Sequence, residues 1–198
     1  MHEPLHLAAR LNIPSPEQRP LAGSGLEPLG ARCARDVWNK ASLPQFVDHC
    51  VATHHPHLEK RLRRAEKAIV MLAARRGLAQ GHALEIAKVF VELADRVRAN
   101  MADENRWFAR LLQGADLDTD KLRESAVTRG VEALVARRLD QDAIAAMFEQ
   151  IRSLASDDDV ADDCLTYRTM VNELAALEED YFLHRSEVDD QVDAALAG

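Results

Sequence analysis

Asn100 and Glu104 interrupt a run of apolar positions, Ile86, Phe90, Leu93, Val97, Trp107 and Leu111, whose alternating four- and three-residue steps keep all eight on one helical stripe. Residues four apart lie one turn above each other, so an amide and a carboxylate enter the same slice of the interior. A carboxylate in a bundle core is costly unless a cation, a hydrogen-bond network or a proton compensates it. Two chemistries follow. Glu104 either ligates a metal together with inward-facing histidines, or it is a buried acid paired with His55, His184 or an arginine. At about 100° per residue, His54 and His55 flank opposite edges of their stripe, so one of the two is expected to face inward. His49 and His57 fall off that stripe, and the run His54-His55-Pro56-His57 is not expected to act as one site.

These residues need long helices to hold them. A first helix is expected from Ser42, where Ser42 and Gln45 spell a capping box with Pro44 in the first turn. Its stripe is Val47, Val51, His54, Leu58, Leu62, Ala65, Ile69 and Leu72, and it stops at Arg75-Arg76-Gly77. Pro56 is expected to remove one backbone bond and kink it near the histidines. The second helix runs from about His82 to Gln113, before Gly114. A third helical region begins near Asp118-Thr119 and leads into Ile144, Met147/Phe148, Ile151 and Leu154. The fourth is expected to begin at Ser156, with Asp157, Asp158 and Asp159 in its first turn. Its stripe is Val160, Cys164, Tyr167, Val171, Leu174, Leu177, Tyr181, His184, Val188 and Val192. With no strand signal between them, these segments predict an all-α, antiparallel, up-down-up-down four-helix bundle over residues 38–198. Residues 1–37 read as an extended arm, because Pro14, Pro16, Pro20 and Pro28 alternate with Gly23, Gly25 and Gly30.

The chain of 198 residues is 47% hydrophobic, enough for a full core, and its net charge of −8 argues against nucleic acid or an anionic membrane as partner. The longest unbroken apolar run, residues 68–74, is too short to span a bilayer. Three widely spaced cysteines, Cys33, Cys50 and Cys164, make a poor disulfide framework and a poor zinc motif. A reduced, cytoplasmic setting is the simplest reading. Cys50 lies at the edge of the first stripe, and nothing in its spacing suggests an activated nucleophile. Cys164, Tyr167 and Tyr181 read as core residues.

The stretch Trp38-Asn39-Lys40-Ala41-Ser42-Leu43-Pro44-Gln45-Phe46-Val47-Asp48-His49, continuing to Thr53-His54-His55, resembles the first helix of the iron–sulfur cluster repair (RIC) di-iron proteins, a hemerythrin-like family. The stretch from Cys164-Leu165-Thr166-Tyr167 through Leu174 and Leu177 to His184 is similar to that family's last helix. The resemblance covers residues 38–198 and lacks the family's N-terminal cysteine-pair domain. It implies a pair of irons held by four histidines and two bridging carboxylates. Carried over by position, His55, Glu104 and His184 match three of those ligands. Asn100, Gln141 and Val188 stand where two histidines and a carboxylate would be, unless Glu187 replaces Val188 through a local irregularity.

Two functions from different classes stay open, the first implied by the resemblance and the second by the residues alone. One is a hemerythrin-like protein with a degenerate di-iron site, keeping iron at His55, Glu104 and His184 and serving iron handling or the repair of iron–sulfur clusters under oxidative or nitrosative stress. Its partners would be iron–sulfur proteins or another protein, with homo-oligomerisation left open, and catalysis is less expected than binding. The alternative is a metal-free bundle acting as a protein-interaction or regulatory module, in which Asn100 and Gln141 are neutral hydrogen-bond fillers.

Overall fold

A computed structural model of the chain describes residues 41–76, 82–115, 140–156 and 165–197. Among these residues the fold is all-helical, without a strand. The expected arm over 1–37, the start of the third helical region near residue 118 and the acidic run 157–159 lie outside the described residues.

Helix α1 is continuous but built of three stretches, Leu43–His49, a π-helical turn Cys50–His54, and His55–Arg76. Ser42 and Gln45 form the expected capping box, Gln45 Oε1 accepting the Ser42 backbone N–H at 3.0 Å, with Pro44 in the first turn where its missing donor costs nothing. Further along, Pro56 has no N–H to offer the preceding turn. The irregularity sits immediately upstream of it: the His55 N–H reaches the Cys50 carbonyl, five residues back instead of four. The kink expected at Pro56 is therefore expressed as one inserted residue in the helical turn. Two consequences follow. Val51, expected on the buried stripe, is turned out and 44% exposed, and Cys50, expected at its edge, is fully buried.

Helix α2 spans Ala83–Ala115, running one residue past Gly114, and α3 covers residues 140–156. Ser156 was expected to open the fourth helix. It lies instead in the last turn of α3, its hydroxyl donating to the Arg152 carbonyl at 2.8 Å. Helix α4, as described, spans Leu165–Ala197. Side-chain pairs fix the helix directions. His55 meets Glu104 and Glu59 meets Arg98 across α1 and α2. Across α1 and α4, His54 meets His184, His57 meets Asp180 and Arg61 meets Glu173. Gln141 meets Asp189 and Arg152 meets Glu178 across α3 and α4. In each pair of helices one number rises as the other falls, so the members run opposite ways.

The apolar core joins all four helices through Leu58, Leu62, Ile86, Phe90, Ile144, Phe148, Leu177 and Tyr181. Each fully buried aliphatic or aromatic side chain contributes about 1.5–3 kcal/mol to folding. A smaller cluster of Phe46, Val47, Cys50, Phe108 and Val188 closes one end, flanked by Trp107 and Leu112. Between the two, in register, lies a polar layer containing His54, His55, Glu104 and His184. Among the described residues no helix is long and apolar enough to cross a membrane.

Candidate metal centre

An imidazole or carboxylate can bind a metal only if the fold holds its lone pair against others, and the π-turn does this for α1. In a regular helix His54 and His55 diverge by about 100°. Here both are buried, at 0% and 8% exposure, so the expectation that one of them faces inward is corrected: both do. His57, expected off the stripe, is buried as well. His49, placed by spacing on the opposite face, stands half-buried at the cluster's edge, its ring 4.7 Å from that of His54.

Glu104 is 1% exposed. Its Oε2 accepts from two helices at once, lying 3.1 Å from His55 Nε2 and 2.8 Å from His184 Nε2. Its other oxygen, Oε1, accepts from the Arg185 guanidinium, which also donates to Asp189 at 3.3 Å. Burial would raise the Glu104 carboxyl, but His184, His55 and Arg185 outweigh it and hold the group well below the ordinary carboxylate range. Glu104 is thus an anion. His54 and His184 are lowered too, which for them favours the uncharged form. Burial, assisted by the surrounding imidazoles, pushes His54 down to about 2, and burial also lowers His184 despite the attraction of Glu104. Both are neutral near pH 7.

A neutral imidazole has one N–H and one lone pair. With His184 donating through Nε2 to Glu104, its Nδ1 accepts from His54 Nδ1, 2.9 Å away. His54 Nε2 then faces Glu187 Oε2 at 3.6 Å. His55 Nδ1 is buried with no hydrogen-bond partner.

The three residues that sequence singled out therefore meet: one ligand atom from each of His55, Glu104 and His184 lies within 4.8 Å of the others. Two imidazoles and a carboxylate form a donor set suited to a single ferrous ion. Two bridged irons do not fit these residues. Asn100 donates to Tyr181 Oη at 2.9 Å, Gln141 donates to Asp189 at 3.3 Å, and Val188 packs in the apolar end cluster. Arg185 holds the Glu104 oxygen that a bridge would use. Glu187 is buried beside Val188 without any irregularity in α4, whose inward face is wide enough for both. The irregular turn is in α1 instead.

Spacing alone missed several residues. Arg185 and Asp180 are 3% and 1% exposed. A signal for Asp180 was present in polar residues spaced seven, four and three apart, Glu173, Asp180, His184 and Glu187, along α4, while Arg185 falls outside that spacing. Cys50 was missed because an uninterrupted 100° step puts it at the edge. No protein-family description, curated protein or solved structure matches the chain.

Proposed function

We propose that this chain is a hemerythrin-like, RIC-related bundle with up-down-up-down helix order that holds one divalent metal ion, iron, between His55, Glu104 and His184. The observation that carries this reading is the convergence of two imidazole Nε2 atoms, from α1 and α4, on the same oxygen of a buried Glu104 from α2. His184 has the companion a ligating histidine needs: with its proton on Nδ1 it would donate to His54 Nδ1, 2.9 Å away, and leave the Nε2 lone pair for the ion. A bound ferrous ion would supply redox and Lewis-acid chemistry at this layer. The chain's own residues supply a dry, apolar-capped pocket and a fixed anion. The resemblance extends the reading to iron handling or iron–sulfur cluster repair in a cytoplasmic setting, through contact with iron–sulfur proteins.

One observation favours a second reading, the metal-free interaction module. Arg185 on Glu104 Oε1 already compensates the buried charge. The two separate on His55→Ala, which removes a ligand while leaving the Glu104–Arg185 pair in place. Under the metal reading, ferrous iron added without oxygen raises the thermal midpoint of the parent chain and leaves the variant unmoved. Under the metal-free reading neither protein shifts.

A further inference from the structure

A second donor set lies beside the first. One ligand atom from each of Cys50, His54 and His184 lies within 4.8 Å of the others, and all three side chains are buried. Cys50 and His54 are the first and last residues of the π-turn, so the inserted residue turns the Cys50 thiol, in place of Val51, to the buried side that His54 occupies. π-turns of this kind concentrate at functional sites. We infer that Cys50, His54 and His184 form a second metal site, selective for a thiophilic ion such as Zn²⁺ over iron. It shares His184 with the iron set but does not depend on iron binding there.

Geometry and donor chemistry both favour this. His54 Nδ1 and His184 Nδ1 are 2.9 Å apart, close to the edge of about 3.3 Å that two nitrogens span around a tetrahedral zinc with bonds of about 2.0 Å. Each imidazole can keep its single proton on Nε2, where His184 faces Glu104 at 2.8 Å and His54 faces Glu187 at 3.6 Å. Both Nδ1 lone pairs then point to the ion, and two carboxylates stand behind the ligating rings as they do in carboxylate–histidine–zinc triads. On binding, the Cys50 S–H bond breaks, the thiolate sulfur bonds the ion, and one proton leaves for solvent. A thiolate with two imidazoles is a softer donor set than two imidazoles with a carboxylate, so the two layers discriminate between ions by ligand type. Because His184 presents Nδ1 to one set and Nε2 to the other, a neutral His184 serves one ion at a time, and zinc and iron compete.

The test uses the full chain carrying Cys33→Ser and Cys164→Ser, which leaves Cys50 as its one thiol, loaded with one equivalent of Zn²⁺ under reducing conditions. X-ray absorption at the zinc edge is expected to show one sulfur at about 2.3 Å. Coordination by nitrogen and oxygen alone overturns the site. Adding Cys50→Ser should remove the sulfur, and persistence of a sulfur signal there would equally contradict it. His55→Ala in the same background should retain the zinc–sulfur bond while losing iron uptake, so failure of the iron reading and failure of this one are told apart.

Discussion

Two buried polar clusters sit about one turn apart on the same helices, and they solve the problem of interior charge differently. In the first, Asp180 accepts from His57 Nε2 at 2.8 Å and from Arg61 Nε at 2.6 Å, while Glu173 is flanked by Arg61 and Arg64 at 3.8 and 3.6 Å. Two carboxylates face two guanidiniums, and the charges close without help. In the second, two carboxylates, Glu104 and Glu187, and one guanidinium, Arg185, stand among His54, His55, His184 and Cys50. Burial is comparable in both clusters except at Arg64, whose side chain is 34% exposed. What differs is that the second cluster has one carboxylate more than its guanidinium and several neutral lone pairs beside it, so burial of polar groups alone does not mark a binding site. A surplus of neutral donors does.

The largest effect that could break this comparison is expected in the closed cluster. Asp180→Ala leaves Arg61 buried beside a single acid and should cost about 3–5 kcal/mol in urea unfolding, with or without metal. A cost that metal addition reduces would mean the two clusters are not distinct. Next comes Arg185→Met, which strips Glu104 of its guanidinium and should cost about 3 kcal/mol in metal-free protein. Ferrous iron at a hundred times its dissociation constant should return about 2.7 kcal/mol of that loss. A variant that ferrous iron does not stabilise at all would contradict the account of Glu104 as a ligand.

Acid should sharpen the contrast further. His54 and His184 have proton affinities lowered by burial, so below about pH 6.5 the unfolded chain takes up protons that the folded metal-free chain refuses. Stability from this source is full above that pH and is lost as pH falls. Glu104, held below its ordinary range, adds a second loss of the same sign below about pH 4.5. His54 is faced by His49, His55 and His57 on its own helix and by His184 and Glu187 from α4. His54→Gln should therefore flatten the descent between pH 6.5 and 5, measured as denaturant midpoints, and an unchanged slope would assign the loss elsewhere. The smallest effect belongs to Asn100→Ala. Removing its bond to Tyr181 should cost about 1 kcal/mol and leave iron uptake unaltered, since that amide serves the tyrosine and not the pocket.

Much of the fold was legible because apolar spacing is a direct record of which face is buried. Leu58, Leu62, Ile86, Phe90, Leu177 and Tyr181 all fall where a regular step puts them. The site was legible only in part. Glu104 and His184 sit in unbroken helices, so extrapolating the stripe found them. His54, Cys50 and Val51 lie within a turn whose period is not 3.6 residues, and there the same extrapolation leaves a buried thiol at the edge of the stripe and buries an exposed valine. Pro56 announced a broken hydrogen bond but not whether the chain would bend or insert a residue. Ser156 misled for a different reason. A serine beside acids suits a helix start, yet a hydroxyl can also return to the carbonyl four residues back at a helix end.

The most direct measurement is anomalous diffraction at the iron edge from crystals grown without oxygen in ferrous iron. One peak is expected per chain, bonded to His55 Nε2, Glu104 Oε2 and His184 Nε2, with Arg185 still on Glu104 Oε1. Two bridged peaks, or none at full ferrous occupancy of the solvent, would contradict a single-ion site.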